Sequence, residues 1–168
     1  AFYEINTALF ADCAVAAMKY EEPSRFPAID IDMTFYADVS ALRFGELKDA
    51  AAKVDSSFLK GYVAILVDSA NLKSAVRTLR MGKNQDFLQE VLIPDGNVST
   101  QRIENAADKD SLAALYAHST LEKAAALGGE ALGGGSMTRF ELACDNAVND
   151  YLRGAKLISY GSETVLAY

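Results

Sequence analysis

Ser57-Phe58-Leu59-Lys60-Gly61-Tyr62-Val63-Ala64-Ile65-Leu66-Val67-Asp68-Ser69-Ala70-Asn71-Leu72-Lys73-Ser74-Ala75-Val76-Arg77-Thr78-Leu79-Arg80-Met81 is the stretch on which the fold turns. Its apolar residues recur at helical spacing in two adjoining stripes. Phe58, Tyr62, Ile65, Leu72, Val76 and Leu79 make one; Leu59, Val63, Leu66 and Ala70 make the other. At 1.5 Å per residue such a helix is about 36 Å long, and an apolar surface this wide needs more than one neighbour to cover it. Asp55-Ser56-Ser57 supplies N-cap side chains before it, and Gly82 ends it. Arg77, Arg80 and Lys83 stand around the last turn, where cations complement the helix dipole.

The same periodicity extends in both directions and predicts an all-α chain. Phe2 to Lys19 reads as an amphipathic helix that stops at Glu21-Glu22-Pro23-Ser24, and a second helix runs from Ala28 to about Lys53. Downstream, a short helix over Gln85 to Leu92 is followed by the turn Pro94-Asp95-Gly96-Asn97. Ser99 or Thr100 caps a further short helix to Ala107, and Asp110 or Ser111 opens one through Leu112, Leu115, Tyr116, Leu121 and Leu127. The glycine-rich segment from Gly128 to Ser136 is expected to be a flexible connector. It divides a first helical unit, residues 1–127, from the start of a second, residues 137–168. Thr138 to Ile158 forms that unit's amphipathic helix, built on Phe140, Cys144, Val148, Tyr151 and Ile158. From Gly161 to Tyr168 a last helix begins without a cap, and Ala1 opens without an initiator Met, so the chain reads as a fragment of a longer protein.

Composition narrows the function. The 168 residues are 51% hydrophobic and 23% charged, within the ordinary globular range. The apolar run Tyr62 to Val67 is stopped by Asp68, so no stretch approaches the roughly 18–20 residues of a bilayer span. A net charge of −7 disfavours nucleic acid, whose affinity rests on clustered Lys and Arg. Cys13 and Cys144 sit on apolar helical faces and suit buried free thiols.

Motifs for catalysis are absent by pattern. Gly133-Gly134-Gly135-Ser136 lacks the Lys of a phosphate loop. Asp30, Asp32 and Asp38 resemble the opening of a calcium loop, but Phe35 and Ala41 occupy the positions that need Gly and Glu. Glu141 with Asp145, and Asn146 with Asp150, lie one turn apart and read as a solvated acidic face, a carboxylate metal site being the sharper alternative. The single histidine, His118, reads as a surface or partly buried helical residue rather than a general base. Asp68 and Asn71, set in a very apolar surface, are expected to join a hydrogen-bond network in the core. Arg77 and Arg80 fit such a network or, with Lys83, a basic patch that meets an acidic partner.

Ser57 to Val63, Asp68 to Lys73, Leu79 to Lys83, Phe87 to Gly96, Asp145-Asn146, and Tyr151 to Lys156 with Tyr160-Gly161 together resemble the C subunit of V-type and archaeal A-type ATPases. In the eukaryotic vacuolar enzyme its counterpart is designated d. The resemblance spans about residues 30–168 and rests on the order and spacing of the segments. It implies a funnel of pseudo-symmetric three-helix units, here partial, with no active site and no cofactor or metal.

The implied role is a non-catalytic rotor subunit that joins the central-stalk shaft to the membrane proteolipid ring. The partners are then shaft subunits and the ring, with membrane contact only through the ring, at the cytoplasmic face. Arg77, Arg80 and Lys83 are the candidate partner contacts. A fragment is expected to self-associate through the apolar face built on Val148, Tyr151 and Ile158. A small helical metal-binding enzyme and a generic helical adaptor are the alternatives.

Overall fold

The computed structural model describes residues 42–53, 56–106, 109–158 and residue 163. Residues 42–53 are helical (α1). They are followed by α2, Ser57–Arg80; α3, Gln85–Val91; α4, Thr100–Glu104; α5, Lys109–Leu115; α6, Glu122–Leu132; and α7, Met137–Arg153. A 3₁₀ turn, Gly154–Leu157, continues α7. Among the described residues the architecture is all-helical, as the periodicity predicts. The expected opening helix with Cys13, the Asp30–Asp38 segment and, apart from Glu163, the closing segment lie outside the described residues.

α2 forms where the two stripes require it, and its ends are fixed by local chemistry. The Ser56 hydroxyl accepts the Leu59 N–H at 3.3 Å and donates to Glu163 at 3.0 Å. At the other end Gly82 takes a left-handed φ of 66°. This lets its N–H reach the Leu79 carbonyl at 3.0 Å while the Lys83 N–H reaches Thr78 at 3.1 Å. That pair of bonds is a Schellman motif, which satisfies carbonyls a helix end otherwise leaves open.

α6 ends the same way. Gly134, at φ 99°, donates to Ala131 at 3.1 Å, and Gly135 donates to Glu130 at 2.9 Å. The Arg80 guanidinium then donates to the Gly135 carbonyl at 3.2 Å and joins the two helix ends.

The core runs through α2 to α7. Leu72, Val76, Leu88, Ile103, Leu112, Tyr116, Leu121, Phe140 and Cys144 are all buried in it, and α6 and α7 both pack on α2. α7 lies antiparallel to α2. Tyr151 near its C-terminus stacks on Phe58 at 5.0 Å and donates its hydroxyl to the Phe58 carbonyl at 2.9 Å.

Several expectations are corrected. The glycine run is not a flexible connector throughout, because the helix continues to Leu132 with Gly128 and Gly129 buried inside it. A Cβ on Gly128 would stand 3.0 Å from Val76 Cγ2 and 3.1 Å from Phe140 Cε2, so its missing side chain is what lets α6 approach α2 and α7. The single helix expected from Asp110 through Leu127 is two helices, parted between Tyr116 and Leu121. His118 sits in that break at φ 62°, exposed, and so is not helical. The apolar face expected to lie open on α7 is largely covered: Val148 is buried and Tyr151 is half-buried against Phe58.

Candidate functional site

The polar residues of α2 separate into three groups by position along the helix. The first is Asp68 and Asn71, 4% and 0% exposed. Asn71 forms a two-point clasp on Ile93: its amide nitrogen donates to the Ile93 carbonyl at 2.7 Å, and its oxygen accepts the Ile93 N–H at 2.8 Å. A side-chain amide offers one donor and one acceptor side by side, which is the pattern an isolated backbone unit presents.

Asp68 does the same one turn earlier. It accepts from the Val98 N–H at 3.1 Å and from the Asn97 side chain at 2.9 Å. Between these anchors, Gly96 lies so close to Asp68 that a Cβ there would collide with the carboxylate, and Asp95 turns the chain at φ 70°. The structural role expected of Asp68 and Asn71 is therefore the one they play. Their partner is the loop over residues 93–98 rather than another helix.

Burial drives the electrostatics of this region. Desolvation raises the Asp68 carboxyl above its ordinary value, against the opposing pull of its hydrogen bonds from Val98 and Asn97. The Cys144 thiol is pushed up to about 12, chiefly by burial and with Lys73 opposing, so it is a packed and unreactive thiol. The Tyr116 hydroxyl is raised by burial and by the Asp68 charge. Among the described residues, it and Thr78 Oγ1 are buried without a hydrogen-bond partner.

The second group is Lys73 and Arg77, which form an ion-pair ladder with α7. Lys73 Nζ lies 2.5 Å from Asp145, and Arg77 reaches one Glu141 oxygen with Nη2 at 2.6 Å and Nε at 3.0 Å. Both pairs advance by one helical turn on each helix. Glu141 and Asp145 are thus not a merely solvated acidic face, and the metal alternative meets carboxylates already matched by cations. No group of three or more His, Cys, Asp or Glu suited to a metal occurs among the described residues.

The third group is the end of α2. Arg80 caps the Gly135 carbonyl, and the Lys83 ammonium stands 5.4 Å from the centre of the Phe87 ring. The structure therefore brings Arg80 and Lys83 to one helix end and turns Arg77 toward α7. The pairing of Arg77 with Glu141 is open to sequence reasoning. Lys73 and Arg77, like Glu141 and Asp145, are spaced by four residues, and two such pairs of opposite sign suit neighbouring antiparallel helices.

No catalytic constellation forms around these groups among the described residues. In comparison with known proteins, a family model described as ATP synthase (C/AC39) subunit matches residues 8–168. No curated protein and no solved structure matches the chain.

Proposed function

The chain belongs to the ATP synthase (C/AC39) subunit family, whose members are non-catalytic central-stalk subunits of V/A-type ATPases, and on that premise we propose how it acts in the stalk. It is a peripheral component of a membrane ATPase, and no described helix is long and apolar enough to cross a membrane. In the proposal it couples the stalk shaft to the proteolipid ring on the cytoplasmic face, so that torque passes through it between ATP chemistry and ion movement.

The family match over nearly the whole chain carries this reading. Physical support comes from α2. A 24-residue helix whose flanks are held by the Asn71 clasp, the ladder to α7 and a capped C-terminus resists bending, and a coupler must be stiff. We place the partner contact at the end of α2, on Arg80 and Lys83 with Arg77 beside them. These cations stand on a chain of net charge −7 and suit an acidic partner surface.

Reconstitution of the ATPase with and without this chain tests the coupling. Without it, the catalytic head is expected to hydrolyse ATP with ion pumping lost; unchanged pumping per ATP overturns the proposal. The contact is tested by the double reversal Arg80→Glu and Lys83→Glu. It should abolish retention by the stalk, whereas Lys123→Glu on α6 should not. Full retention of the double variant overturns the assignment of these residues.

A further inference from the structure

We infer that the groove enclosed by α1, α2 and α7 binds a small organic phosphate. Its volume is about 510 Å³, inside the range of roughly 300–1,000 Å³ in which small-molecule sites fall. The two kinds of wall differ in chemistry. Arg43 on α1 and Lys73 and Arg77 on α2 supply cations, while Phe44, Leu66 and Val148 supply apolar surface. A ligand that satisfies both is an anion with an apolar or aromatic body.

Charge bookkeeping in the groove favours an anion. Asp145, which also lines it, pairs with Lys73, and Glu141 pairs with Arg77. Arg43 makes no ion pair among the described residues, so among them it adds positive charge to the groove that no carboxylate offsets. On a chain of net charge −7, a concave site with residual positive charge concentrates anions locally.

Donor capacity remains after the internal pairs are made. An ammonium has three donors, of which Asp145 takes one, and Arg77 keeps guanidinium N–H groups that Glu141 does not use. A phosphate, with oxygens disposed tetrahedrally, suits donors that line a groove from two helices, as Arg43 on α1 and Lys73 and Arg77 on α2 do. A planar carboxylate matches a single fork better. Inorganic phosphate would leave the half-buried Phe44 and Leu66 wet, which is why an organic phosphate is the better occupant.

This site is separate from the glycine run, and of the residues assigned to the stalk contact it shares Arg77 but neither Arg80 nor Lys83. It implies binding, not hydrolysis.

The test is titration of the isotope-labelled full chain with AMP, inorganic phosphate and adenosine at constant ionic strength, read by amide chemical shifts. AMP should saturate, with shifts centred on Arg43, Lys73 and Ser74, and should bind about tenfold more tightly than either inorganic phosphate or adenosine. Arg43→Ala should weaken AMP by about tenfold, and Asp145→Asn, which removes the groove's carboxylate, should tighten it. Failure to saturate by about 10 mM overturns the site, as does equal affinity for adenosine or an unchanged affinity in Arg43→Ala. Equal affinity for inorganic phosphate overturns the organic part of the ligand. None of these outcomes bears on stalk coupling, which is read by pumping.

Discussion

Along α2, Asp68 and Asn71 meet the loop over residues 93–98 out of contact with water, whereas Lys73 and Arg77, on the next turns, meet α7 at the protein surface. The two regions use the same kind of interaction, a side chain reaching to a neighbouring segment. They differ in what happens when it is lost. In the dry region, deletion of one side chain strands backbone groups that no solvent can satisfy. In the wet region, water replaces either partner. The Arg77 and Glu141 side chains are 44% and 34% exposed, well above the near-complete burial of Asn71. Position relative to solvent, more than charge, decides which polar residues of α2 hold the fold.

The sharpest way to break this contrast is Asn71→Ala. It leaves the Ile93 N–H and carbonyl unpaired in the core, each worth about 1–3 kcal/mol, so a loss of roughly 2–5 kcal/mol is expected in urea denaturation. A loss below about 1 kcal/mol would show that the loop finds other partners.

Asp68→Ala should cost less, about 1–3 kcal/mol, and its effect should depend on pH. The folded carboxyl is raised above its ordinary value by burial. Its stabilising share is therefore complete below the unfolded value of about 3.9 and is lost as pH rises through the folded value. The penalty of the variant, measured by denaturation, should be largest near about pH 4 and shrink toward neutrality. A penalty that grows with pH would mean that the hydrogen bonds from Val98 and Asn97 outweigh desolvation.

The smallest effect is expected in the wet region. A double-mutant cycle of Arg77→Ala and Glu141→Ala should give a coupling of about 0.2–1 kcal/mol that fades in roughly 1 M salt. A salt-independent coupling above about 2 kcal/mol would place the pair with the buried class and collapse the distinction.

The sequence discloses α2 because stripes, N-cap serine and terminal glycine agree over one segment. Gly82 acts as its pattern predicts. Gly128 and Gly129 do not, because glycine carries two opposite meanings. Where φ is positive it ends a helix, and where two helices press together it supplies room. Periodicity within α6 alone does not reveal that Val76 and Phe140 stand where a Cβ would.

The break at Tyr116 to Leu121 is hidden for a related reason. Its apolar residues keep helical spacing across the gap, and the turn is carried by His118 and by Ser119, whose hydroxyl bonds the Tyr116 carbonyl at 2.6 Å and accepts the Leu121 N–H at 3.2 Å. Asp68 and Asn71 are recognisable as polar residues on a face that has to be buried. That their partners lie in a turn 22 to 30 residues ahead depends on tertiary folding, which local pattern does not encode. The groove beside α1 is likewise invisible, since Arg43 and Lys73 come to line one groove only when α1 and α2 are placed.

The clasp at Ile93 has a consequence for hydrogen exchange. Ile93 follows α3 in a segment of irregular backbone, which by itself suggests an amide that trades its proton with solvent quickly. Its proton is instead held by a side chain rooted in the most buried stretch of the molecule, so its release requires α2 and the loop to part. Ile93 should therefore exchange at the pace of the helical core, with Asp95 and Gly96 a few residues away exchanging fast. In that sense the slowest-opening unit of the protein does not follow the boundaries of its helices: it includes a loop.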